Sequence, residues 1–199
     1  MHKVSVYFAE ACCSRGWIST DDTPWCAYAM ERKLITILFF VLLLPVVLIL
    51  GVVKETAIFS FVMYFLRRRY GGWHAPYLWL CQGISILLVL IVTLVIGPHF
   101  LTLPMQLIWG LDVALMVLAF LQKPVYQPQM HFDEDVIQAN RRKKDQLLVF
   151  IFVAQAVLYV LDNVFLIYSF LGVLTGVVSV YIELLQQFIN REKDGYEKT

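Results

Sequence analysis

The sequence predicts an all-α, polytopic membrane helical bundle with six transmembrane segments and an N-terminal interfacial amphipathic region. The 199 residues are 60% hydrophobic and only 16% charged, whereas soluble domains carry about 25% charged residues. The hydrophobic residues also fall in runs of about 20, a length that crosses the hydrocarbon core as a helix. We expect one domain, residues 1–199, with residues 1–33 as an N-terminal segment, 34–189 as the spans and 190–199 as a tail.

The N-terminal segment combines aromatic and polar residues before any apolar run begins. Val4, Phe8 and Ala11 share one helical face, as in helices that lie at a membrane interface. Thr23 followed by Pro24 predicts the cap and the first turn of a helix that continues into the first span. We therefore expect this segment to lie on the membrane surface. It does not resemble a cleaved signal peptide, because no small-residue cleavage site follows the first apolar run.

Six apolar segments account for the predicted spans. The second is short for a full crossing, so we expect it to tilt or to thin the bilayer locally. The carboxyl groups of Asp112, Asp162 and Glu183 lie within or near spans and are expected to face protein or water, because charge in hydrocarbon is costly. The segments are Leu34–Val53, Ala57–Leu66 with an extension to Tyr70 left open, Pro76–Ile96, Leu103–Leu121, Leu147–Ile167 and Leu171–Ile189.

The basic residues indicate the orientation of the chain. With the N-terminus inside and six crossings, 15 of the 16 Lys and Arg residues face the cytoplasm and only Lys54 faces outward. The positive-inside rule expects this asymmetry. We therefore predict a multi-pass protein of a bacterial cell membrane, in contact with the lipid bilayer, with both termini cytoplasmic. The net charge of +1 gives no reason to expect a nucleic-acid partner.

The four cysteines differ in their surroundings. Cys12, Cys13 and Cys26 fall on the predicted cytoplasmic side, which is reducing, so we expect free thiols that pack as small apolar residues. No set of suitably spaced ligands accompanies them, so we expect neither a metal site nor another cofactor. Cys81 differs because it follows a polar turn between the second and third segments.

This turn combines groups that suit nucleophilic chemistry, and its candidate nucleophile is Cys81. A free thiol is mostly protonated at neutral pH, so a cysteine nucleophile needs a base or a positive charge nearby. His74 is the candidate base, while Arg67–Arg69 and the positive end of the third segment's helix dipole favour the anion. Gly71 and Gly72 permit a sharp turn and the close approach of a substrate backbone.

The spacing of His74 and Cys81 constrains how they can meet. Seven residues of continuous helix place two side chains on one face but about 10 Å apart, whereas proton transfer requires about 3 Å. We therefore predict that His74 lies outside regular helix and folds back over the first turns of the third segment. Two simpler interpretations stay open: a lone interfacial histidine is often only a hydrogen-bonding residue, and Arg67–Arg69 also serve as topology anchors.

These residues resemble the motif of AgrB, the accessory gene regulator B processing peptidase of Gram-positive quorum-sensing systems. Chain length and the number of apolar segments agree with that family as well. The resemblance implies a membrane cysteine endopeptidase in which Cys81 is the nucleophile and His74 its base. The motif is Arg67-Arg68, then Gly72-x-His74-Ala75-Pro76, then Cys81, and the residues it suggests for substrate binding or support are Arg67, Arg68, Arg69, Gly72 and Ser85.

The resemblance also implies a substrate, a short AgrD-like propeptide with an amphipathic leader and an acidic tail. Cleavage before the tail would leave an acyl-thioester, which closes to a thiolactone or lactone autoinducing peptide. A homodimer is implied by the family alone. Relatives carry Tyr-Ala-Pro and several lysines after the fourth segment, whereas Gln122–Pro128 has fewer basic residues here, which points to a different precursor. Two other hypotheses remain, a non-enzymatic peptide exporter or signalling scaffold and a structural membrane subunit.

Overall fold

The computed structural model describes residues 2–72, 78–125 and 134–196, and nearly all of them are helical. Apart from one isolated bridge between Gly71 and Val125, the described residues form no strand, which confirms the all-α class. The helices are α1 (His2–Ser14), α2 (Thr23–Leu50), α3 (Val53–Tyr70), α4 (Leu78–Ile91), α5 (Gly97–Phe100), α6 (Met105–Leu121), α7 (Glu134–Val160) and α8 (Phe165–Tyr196), with a π-helical turn at Val92–Ile96.

Helices α1 and α2 form one compact unit, Met1–Gly51. Small residues of α1 face inward, since Ser5 and Ala9 are fully buried. Val4 and Phe8 stay about half exposed, so the apolar face predicted from the sequence is left uncovered by the unit's own packing. An uncovered apolar face on a short surface helix fits burial at the boundary between headgroups and acyl chains.

The start of α2 differs by one residue from the sequence prediction. Asp22, rather than Thr23, precedes the helix as its cap residue, and its side chain makes no capping hydrogen bond. The Thr23 hydroxyl is engaged elsewhere, because it donates to the Ser19 carbonyl at 3.3 Å. Pro24 lies in the first turn as expected. The helix then runs without interruption for 28 residues, or about 42 Å, and therefore exceeds the hydrocarbon thickness.

Helices α3 to α8 form a second unit, Val52–Thr199, in which α3 packs mainly against α8. Glycines of α8 make this close packing possible. A Cβ added at Gly172 would lie 2.9 Å from the Cβ of Val62, and one added at Gly176 would lie 3.4 Å from Leu66. Two glycines four residues apart give the small-residue spacing that lets membrane helices approach each other closely.

Helices α6 and α7 pack through complementary stripes of buried residues with spacings of three and four. In the middle of this contact Gln155 Nε2 donates to Asp112 Oδ1 at 3.2 Å. Asp112 is fully buried, which confirms the prediction that this acid faces protein. The stripes are Ile108, Asp112, Leu115 and Ala119 on α6 and Lys144, Leu148, Ile151 and Gln155 on α7.

Three helices are long and apolar enough to cross a membrane by length and composition, namely Thr23–Leu50, Leu80–Phe100 and Phe165–Ile189. Helices α3 and α6 have 18 and 17 residues, so they extend about 27 and 26 Å, slightly less than the hydrocarbon core. Helix α3 also carries charged residues near both ends. The fold is that of a helical membrane protein with several shorter apolar helices.

The break between the last two helices lies earlier than the sequence prediction placed it. The predicted spans were Leu147–Ile167 and Leu171–Ile189, but the structure turns at residues 161–164. Asp162 adopts a left-handed φ of 48°. The side-chain oxygen of Asn163 accepts a hydrogen bond at 3.0 Å from the backbone N–H two residues later, which starts α8. The two polar residues are the sequence signal for this helix end, but the predicted span continued past them through apolar residues to Ile167.

Candidate active site

The C-terminal turn of α3 carries the predicted arginine cluster. Arg67 and Arg69 are half-buried, and Arg68 is exposed. Arg69 Nη1 donates to Asn140 Oδ1 at 3.4 Å, which places the end of α3 beside the N-terminal part of α7. The side chains of residues 141–143 are also exposed there. Basic groups of two helices therefore collect at one end of the unit, and those on α3 interact favourably with the negative end of its dipole.

Gly71 and Gly72 form the turn that ends α3. Gly71 has φ 74° and ψ −144°, and Gly72 has φ 126°. The turn is closely covered, because a Cβ at Gly71 would lie 1.9 Å from the Val125 carbonyl oxygen and one at Gly72 would lie 2.7 Å from Ser179 Oγ. The groups that approach these glycines therefore belong to the chain itself, a backbone carbonyl at Gly71 and the Ser179 side chain at Gly72. The approach of a substrate backbone to Gly72 stays a prediction.

The segment after α6 is attached to the end of α3 by its backbone. The N–H of Val125 donates to the carbonyl of Tyr70 at 2.8 Å, and Gly71 and Val125 form the isolated parallel bridge. Tyr70 itself is almost completely buried, and its hydroxyl donates to the carbonyl of Ala119 near the end of α6. Residues 122–125 therefore form one wall of the turn that leads from α3 toward α4.

Lys144, a residue of α7, contacts the same C-terminal end of α6. Its side chain is 0% exposed, although the sequence places it in a run of basic residues expected to face the cytoplasm. Its amino group lies 5.2 Å from the centre of the Tyr70 ring. We call Lys144, Tyr70 and the three carbonyls that this amino group meets the Lys144 cluster. The acceptors are the carbonyls of Gln122 at 2.8 Å, Phe120 at 3.2 Å and Ala119 at 3.4 Å.

The predicted nucleophile lies near the start of the helix that follows the turn. Cys81 is the fourth residue of α4 and is a half-buried free thiol. It therefore lies in the first described turn, near the positive end of the helix dipole. Ser85 follows one turn later on the same face and is also half-buried. His74 lies outside the described residues, between Gly72 and α4, so its pairing with Cys81 stays a prediction.

Two other acidic side chains named in the sequence analysis are engaged within the helices. Asp112 accepts from Gln155, and Glu183 accepts from Gln187 Nε2 at 3.0 Å one turn along α8. Among the residues that the structure describes, no group of three or more His, Cys, Asp or Glu side chains is placed to hold a metal ion.

Comparisons with known proteins agree with the motif. A family model described as accessory gene regulator B matches residues 2–186. The protein FsrB of Enterococcus faecalis is 31% identical over 85 residues, which cover 43% of this chain and 35% of that protein. The chain thus aligns with about a third of that relative's length. No solved structure matches.

Proposed function

The chain belongs to the accessory gene regulator B family, and from this premise we propose that it is a membrane cysteine endopeptidase that processes a quorum-sensing propeptide. Its proposed substrate is a short AgrD-like peptide, from which it removes the acidic C-terminal tail. The observation that carries the proposal is the family match over residues 2–186 in a chain that places Cys81 at the start of α4, after the arginine and glycine turn.

The proposed reaction starts at Cys81. His74 takes the proton of the thiol, and Cys81 Sγ attacks the carbonyl carbon of the peptide bond that precedes the acidic tail. The carbon–nitrogen bond then breaks, and His74 returns the proton to the leaving amine. The leader and signal sequence remain bound to Cys81 as an acyl-thioester, while the tail departs with a free amino group.

Ring closure releases the enzyme. The thiol or hydroxyl of a Cys or Ser inside the bound peptide attacks the thioester carbonyl, the bond from Cys81 to the acyl group breaks, and His74 passes the proton to Cys81. With an internal cysteine one thioester replaces another, so no external energy source is needed. The exchange requires that water be kept from the acyl group, which a site at the membrane boundary favours.

The arginine cluster is proposed to receive the acidic tail. Arg68 is exposed, and Arg67 and Arg69 are half-buried, so the end of α3 offers positive charge to a flexible anionic segment. Each exposed ion pair contributes about 1 kcal/mol or less, so the cluster orients the tail more than it binds it. Ser85 lies one turn beyond the nucleophile on α4 and is proposed to contact the peptide beside the scissile bond, whereas Gly72 is proposed to support the turn, because Ser179 covers it.

We place the site and both termini on the cytoplasmic side, which the basic residues gathered at one end of α3 and α7 support. Single-cysteine variants test this orientation. A membrane-impermeant maleimide should label Asp162→Cys at the α7–α8 turn on intact cells, but Arg142→Cys only after permeabilisation. The opposite pattern would reverse the topology. A homodimer is proposed on family grounds, and the molar mass of the protein in detergent tests it.

The decisive experiment is cleavage of an AgrD-like propeptide co-expressed with the full chain. Cys81→Ser and His74→Gln should each abolish cleavage, whereas Cys26→Ser, at another half-buried free thiol, should retain it. Mass spectrometry should find the acylated peptide on Cys81, and hydroxylamine should remove it. Cleavage that survives Cys81→Ser refutes the endopeptidase. Export of uncut peptide by that variant would favour the exporter or scaffold.

A further inference from the structure

Lys144 occupies an environment that a lysine rarely adopts without a specific partner. A buried amino group is costly unless its donors are satisfied. Here it meets three carbonyls at the end of α6, and it also forms an ion pair with Asp145 at 3.0 Å. The carbonyl end of a helix carries partial negative charge, so this is the end of α6 that favours a cation. These contacts therefore fix the position of the Lys144 side chain.

The contacts of the Lys144 cluster lead step by step to the proposed site. Lys144 fixes the carbonyl of Gln122, three residues before Val125. Val125 in turn donates to Tyr70, whose ring lies beneath the lysine and whose hydroxyl reaches the same end of α6. The last residue of α3 and a lysine of α7 therefore hold the same helix end. Residues 122–125 follow that end of α6, and they form the wall that packs against Gly71.

We propose that Lys144 is a positioning residue for the peptidase, holding residues 122–125 against the turn that leads from α3 to Cys81. This inference rests on the proposed function, because the turn matters for catalysis only if Cys81 is the nucleophile. Lys144 touches neither the substrate nor the thiol in this scheme. It acts through Tyr70 and Gly71, by keeping the entrance to the turn in one conformation.

A purely structural role predicts a different result from a positioning role. If Lys144 only caps α6, its loss loosens α6 and α7 as a whole and lowers the amount of folded protein. If it positions the turn, its loss releases residues 122–125 and 70–72 while the helices stay protected. The turnover number then falls, and KM changes little because the arginine cluster that is proposed to receive the tail is still present.

The test compares Lys144→Met with Lys143→Met in the full chain reconstituted in lipid. The two substitutions remove the same charge from adjacent residues, but Lys143 is exposed and Lys144 is buried. In Lys144→Met the amide hydrogens of Gln122, Lys123 and Val125 should exchange about tenfold faster, since a hydrogen bond to a charged group is lost. For the co-expressed AgrD-like propeptide, kcat should fall about tenfold and KM should change less than about twofold. Lys143→Met should match the wild type, and Lys144→Arg should restore part of the lost turnover.

Tyr70→Phe is the second variant, because it removes only the hydroxyl contact with Ala119. If Lys144→Met does not fold, faster exchange at residues 122–125 together with a lower kcat in Tyr70→Phe supports the proposal, and wild-type values overturn it. Uniformly faster exchange across α6 and α7 in Lys144→Met also overturns it. If the wild-type chain cleaves no propeptide, the proposed function fails, yet the exchange measurement still decides whether Lys144 holds the turn.

Discussion

Substitution of Gly71 by alanine tests how the turn after α3 is built. Gly71 has φ 74° and ψ −144°, close to a region that costs other residues about 1–3 kcal/mol. An added Cβ would lie 1.9 Å from the Val125 carbonyl oxygen, so residues 122–125 must move away. The hydrogen bond from Val125 to Tyr70 is then lost, which costs about 1 kcal/mol more. We expect the closed turn to be destabilised by about 2–4 kcal/mol, a factor of roughly 30 to 900.

Gly51→Ala is the matched control for this substitution. Gly51 has φ 71° and ψ 14° with no atom within 4 Å of an added Cβ, so alanine there meets only the left-handed backbone cost of about 1–2 kcal/mol. Propeptide cleavage by Gly71→Ala should slow by roughly 30- to 900-fold, while Gly51→Ala keeps the wild-type rate. Amide exchange at residues 122–125 should rise only in Gly71→Ala. Equal rates for both variants would show that the turn does not control the site.

Three further substitutions probe the charge and packing around the site. Arg68→Gln should raise KM about fivefold or less at low salt, and the difference should vanish as the ionic strength rises; an effect independent of salt would contradict a role in attracting the acidic tail. Gln155→Leu should lower the free energy of unfolding in detergent by about 1–3 kcal/mol, because it leaves the Asp112 carboxyl without its hydrogen-bond donor. The double variant with Asp112→Leu should recover most of this loss. Gly172→Ala should destabilise the chain by pushing α3 from α8, whereas Gly110→Ala, with open space around it, should be neutral or stabilising; similar effects at both positions would argue against close packing at Gly172.

The helical class and the apolar helices were predictable because the thickness of the hydrocarbon core sets the length of an apolar helix, and the length of a hydrophobic run is visible in the sequence. The turn at Asp162 and Asn163 was harder to place. The hydrogen bond that Asn163 Oδ1 accepts from the Phe165 N–H starts a new helix, yet the apolar residues on either side also fit a fifth span that continues to Ile167. Helix ends depend on a few local contacts, so run length alone places them only within several residues.

The parts of the site that sequence analysis proposed are those joined by short spacings along the chain. Gly72 and Cys81 lie within one short stretch, so a motif could propose them, and their roles stay predictions. The Lys144 cluster was missed because it joins residues of α3, α6 and α7, which only the folded chain brings together. One signal was available: Lys144 lies four residues before Leu148, which in turn precedes Ile151 by three, so the lysine continues the buried stripe of α7.

The contact between Gly72 and Ser179 has a consequence for biogenesis. Ser179 belongs to α8, which is synthesised after α3 and α4. During co-translational insertion Cys81 therefore enters the bilayer before α8, whose Ser179 covers the adjacent turn, has been synthesised. A partly synthesised chain therefore carries the thiol beside an uncovered turn, and the turn is covered at Gly72 only when α8 has been inserted.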